Sequence, residues 1–429
     1  MRALRGHLRV AVVLAATVAT GGTLHAGGYD TPMLYSARHM GMGGTAIGYV
    51  NDASALYHNP AGLAHTGKLS LLADFSLLLA HTRASPDLLS RDLTSQLTVA
   101  PLFLVGAGYR LSRLVTVGLG VYPVASAGAT YEYPVGDATV KNRTRLVFAE
   151  ASPAIAFNLP YDLRLGLGYR VTYVSLERFQ GVPGAPGNPG LDFTTSGTNW
   201  AGFRLGLQWT PRPWLSLGAS YRHKTTTKVT NDRGIALGMV FNDIETEFVL
   251  PSKLGLGSRA DVDHFGFALD AEYTFNSQNQ AYPLVGTPEA TATMPLPMRL
   301  EVPNVFRWSD QVTVRGGVEY RTLPGADGTR PLALRAGYIF DGKTTNPRYP
   351  SAFGTPPGPT QVLTTGAGYR YAAWDVNVAY AYRFGSGEVT TADVNAPDNA
   401  ICRFCGIAGN EPYHIRIHGL YVDVSYKLP

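Results

Sequence analysis

Apolar and polar residues alternate with period two along fourteen segments of the chain, and the connections between the segments run short, long, short, long. The first seven are Leu69–His81, Leu97–Arg110, Leu114–Tyr122, Leu146–Asn158, Leu163–Ser175, Trp200–Trp209 and Trp214–Arg222. The others are Thr246–Gly257, Asp263–Phe275, Val312–Arg321, Leu332–Asp341, Gln361–Tyr371, Trp374–Phe384 and Leu420–Leu428. Each is near the roughly 9–11 residues that a tilted strand needs to cross a bilayer, with a margin outside it. Asn158–Leu163, Trp209–Trp214 and Tyr371–Trp374 are tight connections, whereas Leu176–Asn199, Phe275–Gln311 and Phe384–Leu420 are long. A soluble sandwich has no reason to sort its loops by parity. An outer-membrane barrel does, with tight turns in the periplasm and long loops outside. The pattern predicts an all-β fold, a 14-stranded antiparallel transmembrane β-barrel.

The strand faces agree. Val312, Val314, Gly316, Val318 and Tyr320 oppose Thr313, Arg315, Gly317, Glu319 and Arg321. Near the end of the chain, Leu420, Val422, Val424, Tyr426 and Leu428 oppose Tyr421, Asp423, Ser425 and Lys427. The same parity points Arg164, Arg170, Arg204, Arg222, Arg315 and Arg335 into the lumen, together with Asp270, Glu272, Glu319, Asp341, Asp375 and Asp423. These charges are expected to pair with one another, because an unpaired buried charge is costly.

Composition narrows the classes further. Charged residues make up 16%, against about 25% in ordinary soluble proteins. The 24 tyrosines suit the aromatic belts of a barrel. The net charge of +5 owes much to Arg2, Arg5 and Arg9, so no nucleic-acid partner is expected. Those arginines precede the short apolar stretch Val10–Ala19, and residues 1–26 read as a signal peptide cleaved after Ala26, with Ala19 as the alternative. Export followed by a barrel implies the outer membrane of a Gram-negative-type bacterium.

Between leader and first strand, Gly28–Gly67 is rich in small residues and lacks the barrel alternation. Ser36–Met40 and Asp52–Tyr57 are candidates for short helices, and Asn59-Pro60 favours a turn. A lumen about fourteen strands wide would hold water unless filled. The segment is therefore placed inside the barrel, as a partly helical hatch (27–67) ahead of the barrel proper (68–429). Asn59, Pro60, Ala61 and Gly62 form its turn.

The run Gly41 through Gly62 (G-x-G-G-x-A, then D-A-S and N-P-A-G) resembles the hatch of the FadL family of outer-membrane transporters, which includes the TodX-type channels. Leu250–Gly257, Trp308–Asp310 leading into Val314–Arg321, Leu334–Asp341 and Gly366–Arg370 extend the resemblance over essentially the whole mature chain. The terminal Tyr426-Lys427-Leu428-Pro429 departs from it, since a terminal aromatic often signals barrel assembly. The resemblance implies a plugged barrel that captures hydrophobic small molecules, such as fatty acids or hydrocarbons, on its outer loops. The ligand then passes to a pocket beside the hatch and leaves sideways through a gap at a kink in the third strand. Its further partners would be outer-membrane lipid or lipopolysaccharide and the barrel assembly machinery, with the chain itself a monomer.

Pro123, Ser126 and Gly128 are the candidate kink. Proline cannot donate to a strand ladder and glycine allows a bulge. The commoner reading of such a proline is a strand that simply ends at the outer rim. Phe179, Phe193, Met239 and Phe241, with Leu237 and Val240, are candidate apolar ligand contacts in outer loops. Arg315 and Arg335, presented by neighbouring strands, are candidates to meet a carboxylate head group. Cys402 and Cys405, the only cysteines, read as a short disulfide pinning the last long loop. The histidines show no metal-ligand spacing, and neither metal, cofactor nor catalytic constellation is expected. Besides an uptake channel, a structural or adaptor barrel of a secretion or surface-assembly system remains open, as does, more distantly, a lipid-modifying barrel enzyme.

Overall fold

The computed structural model describes residues 35–84, 93–182, 188–290, 298–322, 331–349, 358–394 and 411–428. The leader 1–26 and the pair Cys402 and Cys405 lie outside the described residues. Fourteen antiparallel strands close into one barrel. They are β1 Leu69–Ala84, β2 Thr98–Arg110, β3 Val115–Val135, β4 Ala138–Leu159, β5 Leu163–Gln180 and β6 Leu191–Arg212. Next come β7, in the segments Leu215–Arg222 and Thr225–Ala236, and β8, in the segments Met239–Leu250 and Lys253–Val262. The circle continues with β9 Phe265–Thr274, β10 Gln311–Arg321, β11 Leu332–Asp341, β12 Thr360–Tyr371, β13 Trp374–Val389 and β14 Glu411–Leu428. Closure is by β14 on β1, in register from Leu69 opposite Leu428 to Arg83 opposite His414. Closure pairs the first strand with the last, so neither is left as a free edge in the bilayer.

Each predicted segment other than Thr246–Gly257 falls on one unbroken run of strand, with Leu97, Leu114, Trp214, Asp263, His264 and Phe275 left just outside, but several strands run further than the alternation indicated. β3 and β4 extend to a tight hairpin at Gly136, and β7 and β8 to another at Leu237 and Gly238. Both hairpins stand at the long-connection end, where the residues read as loops are strand. The physical reason is that a hairpin outside the bilayer has no lipid face and needs no clean alternation. The segment Thr246–Gly257 in fact spans the break in β8 at Pro251, which has no N–H to give a ladder.

Side-chain parity holds around the wall. On β10, Val312 is exposed outward while Thr313, Arg315 and Glu319 are buried. On β14, Leu420, Val422 and Val424 face out, and Tyr421, Asp423 and Ser425 face in. Tyr109, Trp209, Tyr320 and Tyr369 ring the outside at the tight-turn end.

Candidate functional site

The lumen is occupied by the N-terminal segment. Two short helices, α1 (Ala37–Gly41) and α2 (Ala55–His58), and a 3-10 turn, Pro60–His65, carry almost wholly buried residues. Their backbone is held by wall side chains. Asp423 accepts from Ser36 Oγ at 2.7 Å and from the Arg38 amide at 3.1 Å. Asp270 accepts from the Ala46 and Ile47 amides at 2.8 and 3.1 Å. Asn59 closes its own turn by accepting from the Ala61 amide at 3.2 Å, and its Nδ2 donates to the carbonyls of Ile47 (2.7 Å), Leu207 (3.0 Å) and Ala219 (3.2 Å). One side chain thus joins the segment to β6 and β7.

Lumen glycines make this approach feasible. A Cβ on Gly206 would stand 2.1 Å from Asn59 Oδ1, and one on Gly166 would stand 2.3 Å from the Ala61 nitrogen. Gly206→Val should therefore unseat the Asn59-Pro60-Ala61-Gly62 turn. In planar bilayers the parent should conduct near zero and the variant should show a steady pore. A silent Gly206→Val protein that still folds would show that the turn does not seal the lumen.

Around this seat the wall charges pair. Arg170, fully buried, donates Nε to Glu150 Oε1 at 2.8 Å, and Arg204 approaches the other carboxylate oxygen at 3.5 Å. Arg204 also donates to the Leu56 carbonyl and, at 3.0 Å, to Tyr122 Oη. Arg315 pairs with Glu272 at 3.1 Å, and Lys253 shares that carboxylate at 3.2 Å. Arg335 donates to Glu319 at 2.8 Å and to Asn377 at 2.9 Å. The structure therefore separates the two arginines. Arg315 faces a small cavity of about 40 Å³ with Tyr57, His58, Arg204 and Arg222. Arg335 lines a polar cavity of about 280 Å³ at the tight-turn end, with Arg38, Arg259, Asp261 and Arg370. Burial holds the His58 ring down to about 4, so it stays neutral while Nε2 donates to the Tyr35 carbonyl at 2.8 Å. Glu150, Tyr122 and Arg259 were not singled out from the sequence. Parity places each inward, but nothing local marks the partner.

The apolar candidates divide as well. Phe193, Phe241 and Met239 join a lumen cluster with Leu146, Phe148, Val174 and Phe248, covered by Phe306 and Trp308 from the connection after β9. Phe179 takes no part in it. β6 carries one extra residue between its pairs Gly202 opposite Arg170 and Asn199 opposite Thr172, which reverses its parity and turns Phe193 inward. β5 has no such reversal, so Phe179 falls on the face opposite to its buried Val174 and Leu176.

The wall is interrupted between β2 and β3. The two pair only from Val105 opposite Val121 down to Arg110 opposite Thr116. Beyond that, β2 from Thr98 to Leu104 pairs with β1 alone, whereas β3 runs on to Val135 against β4. The register of β3 slips between Pro123 and Ala125, leaving Val124 as an extra buried residue. Pro123 does not end the strand. Gly128 has φ 157°, and a Cβ there would lie 2.2 Å from the Thr144 carbonyl oxygen. Pro101 and Pro123 lie on the two facing segments and bring no N–H to them. A cavity of about 690 Å³ occupies the gap. Its lining includes Met40, Leu78 and Tyr421 from the lumen and Val99, Phe103 and Ala149 from the outer face, with Pro123, Ser126 and Gly128 between.

Solved structures share this architecture. A FadL homologue from Pseudomonas aeruginosa is similar at 15% identity and TM-score 0.70, with 94% of this chain and 100% of that one covered. The toluene transporter TodX of Pseudomonas putida gives 18% identity and TM-score 0.63, covering 91% and 97%. The toluene transporter TbuX of Ralstonia pickettii gives 16% and 0.64, covering 93% and 100%. No curated protein matches significantly. The family model described as outer membrane protein transport protein (OMPP1/FadL/TodX) matches residues 17–408, and this chain, an outer-membrane β-barrel, belongs to that family.

Proposed function

We propose that the protein takes up hydrophobic small molecules and releases them sideways into the membrane, with the N-terminal segment as a hatch that closes the axial route. The observation that carries this reading is the cavity at the β2–β3 break, because residues of both faces of the wall line one continuous space. Unpaired strand edges at membrane depth are tolerated where they line a cavity. The charge distribution favours the same route. An apolar solute gains roughly 25 cal/mol per Å² of apolar surface taken out of water, so the arginine-lined cavity at the tight-turn end offers it nothing. The lateral space instead passes Leu78, Leu102, Ala127 and Leu146. The tight-turn end is the periplasmic one on this reading, and Phe193, Met239 and Phe241 form the apolar surface above the hatch. The named toluene transporters of the same fold fit an apolar cargo. An adaptor barrel has no need of a break in its wall.

For a fatty acid, Arg315 is the better placed of the two arginines to meet the carboxylate. It lies beside the hatch residues Tyr57 and His58, in a cavity where Arg204, Arg222 and Lys253 outnumber Glu272. Uptake of oleate and of toluene into vesicles containing the purified protein tests both levels. The wild type should take up one or both, and failure with both would end the transport reading. Arg315→Leu should slow oleate several-fold and spare toluene. Equal loss of the two would reduce Arg315 to a folding role.

A further inference from the structure

The outward face of β4 changes character at the mouth of the lateral opening. Its outward positions are apolar from Ile155 through Pro153, Ala151 and Ala149 to Val147, and then read Arg145, Arg143 and Lys141. The change falls just beyond Tyr173 of β5, an exposed aromatic paired with Ala149, which marks the edge of the hydrocarbon band. Two of the three bases are matched. Glu177 of β5 holds Arg143, and Glu132 of β3 holds Lys141 at 3.1 Å. Arg145 is exposed, and no ion pair reaches it among the described residues. Its register partner on β5 is Glu177, already engaged, and on β3 it is Gly128, which has no side chain to cover it. Arg145 also lines the cavity that opens past Val99 and Phe103.

An unmatched guanidinium at the border between hydrocarbon and head groups has a defined complement. Its stem lies along apolar surface while its planar fork fits two oxygens of a phosphate. On the orientation proposed above, this height belongs to the outer leaflet. We propose that Arg145 binds a phosphate of an outer-leaflet lipid, whose acyl chains then lie over the opening. A solute leaving the barrel would meet acyl chains at once and no water. The consequence for release rests on the lateral-exit reading; the lipid site itself does not.

The test is lipid retention by the purified full-length chain, read by native mass spectrometry with lipid A, which carries two phosphates, and with diacylglycerol, which carries none, as the comparison. Arg145→Gln should lower lipid A retention about tenfold, the scale of a charge-assisted hydrogen bond. Arg145→Lys should keep most of it, and Arg113→Gln, in the tight turn between β2 and β3 at the other end, should change nothing. Diacylglycerol retention should be the same in all four proteins. Undiminished lipid A retention in Arg145→Gln, or an equal fall in Arg113→Gln, would overturn the site. So would slower oleate uptake by Arg145→Gln at unchanged lipid A retention, because the cation would then serve the cargo's carboxylate. Retention needs no transport, so a failure of uptake leaves this test standing.

Discussion

Deleting Val124 should abolish lateral release while leaving the barrel assembled. The extra residue between Pro123 and Ala125 falls at the height where β3 parts from β2, just beyond the last pair, Val105 opposite Val121. Removing it lets the strand resume one register against β4, and carries its upper part back towards the unpaired edge of β2 from Thr98 to Leu104. Uptake of toluene and oleate into vesicles is expected to fall by about tenfold or more, since on the proposed reading this closes the apolar way out of the barrel. Heat-modifiable migration on gels should still report a folded barrel. Undiminished uptake by such a folded variant would remove the β2–β3 gap from the pathway.

The largest loss of stability should follow Glu150→Ala. Glu150 accepts from Arg170 in a fully buried pair and draws Arg204 to 3.5 Å. Without it two guanidinium groups are left without their counter-charge, and removing one partner of a buried pair costs about 3–5 kcal/mol. Reversible folding in urea, followed by tryptophan fluorescence, would read this directly. The double change Glu150→Leu with Arg170→Met should recover much of it, since a well-packed apolar pair of similar volume avoids the desolvation cost. A loss under about 1 kcal/mol, the scale of an exposed ion pair, would show that water reaches the cluster.

Much of the architecture follows from the linear pattern. Two environments on opposite faces of every strand impose period two, and a membrane on one side only of each turn imposes loop parity. Fourteen strands, their order and the inward set Arg170, Arg204, Arg315, Arg335, Asp270 and Asp423 are legible for that reason. The turn at Asn59 was legible too, because the residue before a proline is pushed out of the helical region.

Other features are properties of neighbours, and no local pattern contains them. Pro123 states only that an N–H is missing; whether β3 ends or slips there depended on what β2 and β4 offered it. Phe179 and Phe193 looked alike in sequence, and a bulge opposite Arg170 and Thr172 put one on each face. Arg315 and Arg335 sit on adjacent strands, yet they line different cavities, the first with Tyr57 and His58 and the second with Arg38 and Tyr49 of the N-terminal segment. Gly166 and Gly206 read as ordinary strand glycines until the Asn59–Ala61 turn was packed on them. The sequence by itself determined which face of each strand meets lipid, because solvent preference is a property of each residue. The tertiary structure alone decided which buried groups meet and where the wall opens, because both depend on register between segments far apart in the chain.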